Sequence, residues 1–124
     1  MTGRPVKRCL VINPNTTAAV TDLVLAACRR AQPDVQWDGT TARFGAAYIA
    51  SEAAYARASH AALDAFEAAH DGHDAVLLAC FGDPGLMGLR EISPVPVVGL
   101  AQSSFQAAAR HGRFAVVTGG HAWA

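Results

Sequence analysis

The sequence predicts an α/β fold built on a mostly parallel sheet. Three observations carry that reading. Short apolar runs of strand length alternate with longer segments whose apolar residues recur at helical spacing. Clusters of Gly, Pro or Asn punctuate the joins between them. The runs are solid rather than alternating, as in strands covered on both faces. With 124 residues, 52% hydrophobic and 16% charged, the chain suits one globular unit with a buried core.

Cys9-Leu10-Val11-Ile12 is the first such run. Asn13-Pro14-Asn15-Thr16 breaks it, and Asn15 or Thr16 is the expected N-cap of the next helix. Val20, Leu23, Val24 and Ala27 follow the i, i+3, i+4, i+7 pattern and predict that helix's buried face, with Cys28 packed beside it. Pro33 ends the helix, and residues 35–41 predict a second strand. Residues 43–50 read as a loop around Phe44-Gly45. A long helix is expected from about Ser51 to His70, with Tyr55, Ala58, Ser59, Ala62, Leu63 and Phe66 on one face. Its many alanines predict close packing on the sheet, and Asp71-Gly72 stops it. Residues 75–79 predict a third strand and residues 86–91 a shorter helix. Pro94-Val95-Pro96-Val97-Val98-Gly99 predicts a fourth strand, its prolines near the start where a missing N–H is tolerated. Residues 102–110 predict a fourth helix, ended by His111-Gly112. Phe114-Ala115-Val116-Val117 predicts a fifth strand, which lacks a helix to cover it.

Composition excludes several function classes. Ten basic residues balance ten acidic ones, so the charge offers nothing to a polyanion and no nucleic acid partner is expected. No apolar run approaches the roughly 20 residues of a membrane span, so no membrane is expected either. Residues 1–8 lead directly into a strand without the apolar region of a signal peptide. Three cysteines, an odd number without metal spacing, read as free thiols in a reducing cytoplasm.

Cys80 is the residue most suggestive of chemistry. It follows the run Asp74-Ala75-Val76-Leu77-Leu78-Ala79 and precedes Phe81-Gly82-Asp83-Pro84-Gly85-Leu86. A thiol at the carboxyl end of a strand, before a Gly/Pro turn and a helix start, can gain thiolate character from nearby N–H groups and the helix dipole. The same position also suits a buried cysteine acting as a small hydrophobe. Ligands of open parallel sheets sit at the carboxyl ends of the strands. The loops at Asn13, Cys80, Gly99 and Thr118 therefore converge on one edge. Asn13 and Asn15 suit turn and cap roles equally well. Asp83 is an expected cap for the helix after Cys80.

The histidines point elsewhere. His70 and His73 flank a helix end and read as solvated there rather than as metal ligands. His60 lies mid-helix, His111 reads as a C-terminal cap, and His121 sits in the last loop near the ligand edge. Neither Gly-x-Gly-x-x-Gly nor Gly-x-x-x-x-Gly-Lys-Ser/Thr occurs.

Five motifs together carry a resemblance. Cys80-Phe81-Gly82-Asp83-Pro84-Gly85-Leu86 resembles the first cysteine motif of hydantoin and allantoin racemases, within the aspartate/glutamate racemase superfamily. Ile12-Asn13-Pro14-Asn15-Thr16-Thr17 and Phe44-Gly45-Ala46-Ala47-Tyr48-Ile49 resemble that family's first two loops. Pro96-Val97-Val98-Gly99-Leu100 and Val116-Val117-Thr118-Gly119-Gly120 fit at the right separations. The resemblance implies a parallel-sheet α/β sandwich, in which two similar domains face each other and each contributes one cysteine. It implies a small-molecule carbon acid as substrate, proton transfer between a thiolate and an opposing thiol, and no metal or organic cofactor. Cys80 would be one acid/base, Phe81 and Gly82 would offer backbone donors to the developing oxyanion, and Asn13 and Thr118 would bind the substrate's polar edge. A modest downward shift of the thiol pKa would suit it to that role.

Family members run to about twice this length, and the second cysteine has no counterpart here. Residues 1–99 are therefore expected to form a first α/β domain lacking its return segment. Residues 100–124 would be a crossover helix and the first strand of a second, missing domain. Little activity is expected from such a truncated chain, and a homo-oligomer or a second-half chain becomes an expected partner. Alternative readings are a superfamily isomerase or decarboxylase, and an inert fragment or a domain that binds a small carboxylate or pairs with a second chain. The uncovered last strand and Trp123 predict self-association or loss of order near the end.

Overall fold

The computed structural model describes residues 5–119. His121 and Trp123 lie outside the described residues. Strands β1 (Arg8–Asn13), β2 (Gln36–Thr41), β3 (Ala75–Leu78) and β4 (Val97–Gly99) alternate with helices α1 (Ala18–Ala31), α2 (Glu52–Ala69), α3 (Leu86–Ile92) and α4 (Leu100–Ala109). The four strands form one parallel sheet in the order β2-β1-β3-β4. All carboxyl ends therefore lie along one edge, as the sequence predicts.

Strand alternation sorts the core into two layers. Leu10 and Ile12 of β1, Val76 and Leu78 of β3, and Val97 of β4 face α2 and α3, where Ala62, Ala65, Phe66 and Leu89 meet them. Each such large apolar side chain contributes about 1.5–3 kcal/mol on burial. Small side chains at Ala58, Ala61, Ala62 and Ala65 bring α2 close to the sheet. Val11 and Leu77 face the other way, against Val24, Leu25 and Cys28 of α1 and Trp37 of β2.

The second face of α1 departs from expectation. Thr21 and Leu25 are its buried residues, with Val24 and Cys28 beside them, whereas Leu23 is 70% exposed. A polar anchor sets this rotation. Thr21 Oγ1 lies 3.0 Å from the Asn13 side-chain nitrogen and 2.6 Å from Thr41 Oγ1. Apolar spacing alone misses a face that starts from a threonine. The helix also begins later than expected, with Thr17 as its N-cap, because the Asn15 carboxamide accepts from Thr17 N–H at 2.9 Å.

Helix α2 starts where predicted, its Ser51 cap accepting from Ala54 N–H at 3.1 Å. The close of the α2 region is not the solvated end that the histidines suggested. His73 is only 4% exposed. It lies 2.9 Å from Asp38, which also pairs with Arg8 at 3.1 Å, and its Nδ1 accepts from Asp71 N–H. His70 stacks on Phe66. This cluster pins the amino ends of the strands, away from the loops of interest.

Residues 114–117 are not a strand, contrary to the sequence reading. The sheet edge at β4 remains free of them, and the segment runs over the surface with Val117 97% exposed. An apolar run adopts strand structure only when a neighbour supplies the ladder, and none does here. Phe114 instead stacks on Phe105 of α4. Among the described residues no helix is long and apolar enough to cross a membrane.

Candidate active site

The loop after β1 is built around Asn13. Its side-chain nitrogen lies 2.9 Å from Asn15 Oδ1, 3.1 Å from the Thr17 carbonyl and 3.0 Å from Thr21 Oγ1. Its Oδ1 accepts from Asn15 N–H at 3.0 Å. Asn13 is 0% exposed, and its carboxamide is engaged by these internal partners. Asn15, two positions on, borders the cavity beside Cys80. The loop also grips residues 43–50, through Thr16 N–H to the Ala46 carbonyl and Thr17 Oγ1 to the Ala47 carbonyl. Tyr48 and Ile49 are thereby fixed beside it.

Cys80 stands just past β3, whose pairing with β1 is prolonged by Ala79 N–H donating to the Ile12 carbonyl. A tight turn follows. Asp83 N–H returns to the Cys80 carbonyl at 3.0 Å, and the Tyr55 hydroxyl donates to the Gly82 carbonyl at 2.6 Å. Asp83 has φ +52, a left-handed conformation that aspartate tolerates better than most residues.

The Asp83 carboxylate does not cap α3, whose N-cap is Gly85. It reaches across to α4, accepting from Ala101 N–H and Gln102 N–H at 2.9 Å each. Gly99 makes that approach possible, since a Cβ there would lie 2.6 Å from the carboxylate carbon. A negative group at the N-terminus of α4 matches its dipole and satisfies two of its unpaired donors. The cysteine turn is thus clamped to the end of β4.

Cys80 opens on a cavity of about 200 Å³ lined by Asn15, Tyr48, Ile49, Phe81, Thr118 and Gly119. Of the sequence-predicted residues, Cys80, Phe81 and Thr118 come together here; Gly82 lines an adjoining hollow and Asn13 lies beneath the surface. Asn15, Tyr48 and Ile49 are additions. They belong to the Asn-Pro-Asn and Phe-Gly loops, whose sequence does not show which side chain faces out.

The electrostatics reverse one expectation. Burial, and then the neighbouring Asp83 carboxylate, push the Cys80 thiol up to about 11. Desolvation and a like charge both disfavour thiolate. Burial likewise pushes Cys9 up to about 11 and raises Cys28. Cys9 and Cys28 sit in the sheet–α1 layer, away from this cavity. No cluster of three or more His, Cys, Asp or Glu arranged to hold a metal occurs among the described residues.

Comparison with known proteins agrees with this architecture. The profile of the Asp/Glu/Hydantoin racemase family matches residues 9–124. A hydantoin racemase of Pseudomonas sp. (strain NS671) is 40% identical over 111 residues, covering 87% of this chain and 45% of that protein. Another, from Paenarthrobacter aurescens, is 37% identical over 104 residues, 78% of this chain and 42% of that protein. Among solved structures, an allantoin racemase from Klebsiella pneumoniae superposes with TM-score 0.79 at 35% identity, over 84% of this chain and 43% of that one. An allantoin racemase from Pseudomonas fluorescens does so with TM-score 0.76 at 34% identity, over 83% and 44%. The chain therefore spans less than half the length of these relatives. A shared parallel sheet, a cysteine turn at its carboxyl edge and a family match across nearly all residues lead to one conclusion: the chain belongs to the Asp/Glu/hydantoin racemase family.

Proposed function

We propose that this chain supplies one acid/base thiol, Cys80, to a cofactor-independent racemase of hydantoin-type carbon acids. The observation that supports it best is the position of Cys80 at the strand edge, opening on a cavity bordered by Asn15, Phe81 and Thr118. A thiolate at this position would take the proton from the carbon next to the carbonyl. The C–H electron pair would move into that carbonyl, giving an enolate. Backbone N–H groups of Phe81 and Gly82 would face the oxyanion, and Asn15 and Thr118 the ring's polar edge. Inversion is complete only when a proton returns from the opposite face. Neither Cys9 nor Cys28 borders this cavity, so the opposing thiol would come from beyond this chain. The raised Cys80 pKa also favours the acid role over the base role in this chain alone.

The chain alone should therefore be a poor racemase. Incubation with a single enantiomer of a 5-substituted hydantoin in D2O tests this, with deuterium at C5 and optical rotation followed together. The expected result is slow exchange above the uncatalysed rate, abolished by Cys80→Ala, with little loss of rotation. Exchange unaffected by Cys80→Ala would overturn the assignment and favour an inert domain. Full inversion by a monomer at roughly 1–10³ per second would overturn the one-thiol reading.

A further inference from the structure

Helix α2 lies against the cysteine turn near its N-terminus. Tyr55 and Cys80 both pack against Ile49, Ala54 and Ala58. One helical turn further along, the Ser59 backbone lies against Gly85. Tyr55 and Ser59 thus meet the two ends of the loop that carries the thiol into α3.

Tyr55 also bonds to that loop. Its hydroxyl donates to the Gly82 carbonyl at 2.6 Å, the short end of the range for a hydroxyl donor. On the same peptide unit, Asp83 N–H donates to the Cys80 carbonyl at 3.0 Å. The peptide joining Gly82 to Asp83 is therefore held at its carbonyl by α2 and at its N–H by the cysteine residue itself. Gly82 has φ +108 and Asp83 φ +52. An aspartate adopts that left-handed conformation at a cost, and it persists only where surrounding bonds impose it. The Asp83 carboxylate on α4 is one such bond, and the Tyr55 hydroxyl is another, from the opposite side. Burial, and then the charges of Asp83, Cys80 and Glu52, raise the Tyr55 phenol above its ordinary value, which keeps it protonated and able to donate.

We propose that Tyr55 is a positioning residue of the Cys80 site. Acting through the Gly82 carbonyl, its hydroxyl aims the Phe81 and Gly82 N–H groups at the developing oxyanion. Tyr55 is not among the residues that border the Cys80 cavity, so it acts through the turn and touches no substrate. The proposal rests on the assignment of Cys80 as the acid/base. Donors of this kind contribute where they meet charge as it develops. A turn released from Tyr55 would still admit the neutral ring but would meet the enolate less well. The loss therefore falls on kcat rather than on KM.

The test follows C5 deuterium exchange of a 5-substituted hydantoin in D2O by the intact chain. Values of kcat and KM are compared for wild type, Tyr55→Phe and a variant with 4-aminophenylalanine at position 55, which keeps the ring and restores an N–H donor. Tyr55→Phe should lower kcat about tenfold, less than the 10²–10³ lost when an oxyanion donor is deleted outright. KM should stay within about twofold, and the 4-aminophenylalanine variant should recover most of the rate. Circular dichroism at the assay temperature reads whether each variant is folded. An unchanged kcat, a loss carried by KM, or an equal loss in the 4-aminophenylalanine variant would overturn the role of Tyr55 while leaving Cys80 in place. So would a Tyr55→Phe chain that fails to fold, since the hydroxyl would then serve the fold itself. Exchange as fast in Cys80→Ala as in wild type would overturn the Cys80 assignment, and the role of Tyr55 with it.

Discussion

At the scale of single residues, burial and a carboxylate neighbour decide how readily the Cys80 thiol ionises. Cys80 moves from an ordinary 9.0 to about 11, first through burial and then through Asp83. The sign follows from proton linkage. Between these two values the unfolded chain releases the thiol proton and the folded chain keeps it. Stability is therefore unaffected below about pH 9 and falls as the pH rises toward 11. Asp83→Asn removes the charge while keeping an oxygen that can cap α4. We expect the alkylation midpoint of Cys80 to fall in this variant but to stay above 9, since burial is the larger cause. A midpoint unchanged from wild type would show that Asp83 does not act on the thiol. The sequence revealed the place of Cys80 in the fold, because a solid apolar run followed by Gly and Pro marks a strand's carboxyl end. It could not reveal the protonation state, which depends on a carboxylate held by a helix 18 residues further along. Nor could it separate Asn13 from Asn15, since which one turns inward depends on Thr21 of α1.

At the scale of elements, the alternation of apolar runs and amphipathic segments made β1 to β4 and α1 to α4 legible, because each element carries its own periodicity and is bounded by its own turn residues. The failures lie where a distant partner decides. The face of α1 follows a threonine cluster spanning three elements, and residues 114–117 have strand composition without a strand beside them. The turn between Cys80 and α3 shows how closely the elements approach. Gly85 has φ +84, and a Cβ there would lie 2.9 Å from the Ser59 carbonyl oxygen of α2. Both the backbone conformation and the contact oppose any side chain. Gly85→Ala should destabilise the fold by about 1–3 kcal/mol, read from the midpoint of urea unfolding. The contact also links α2 to the cysteine turn, so the variant should loosen Cys80 and speed its alkylation at fixed pH. A variant as stable as wild type would mean that the turn and α2 do not pack as described.

At the scale of the whole molecule, the two faces of the sheet are unequally covered. Helices α2 and α3 close one face, whereas on the other α1 packs mainly over β1 and β2. What remains is an apolar hollow of about 440 Å³ in which Val6, Trp37, Leu77 and Val98 take part. Val98 is 41% exposed and Val6 43%, and Phe114, Val116 and Val117 add apolar surface beside α4. Contiguous apolar area of this kind drives association, and a formal net charge of zero offers no repulsion to oppose it. The purified chain should therefore associate with rising concentration, seen as growth in scattering mass. Val98→Lys places a charge in the lining of that hollow without altering a fully buried contact, so it should shift the equilibrium toward monomer. Val117→Lys, in the segment beside α4, separates the two surfaces: if only the Val98 variant restores the monomer, the open sheet face is responsible. Should the wild-type chain stay monomeric at high concentration, the exposed apolar surface would be too dispersed to bind another copy, and the uneven coverage of the sheet would carry no association.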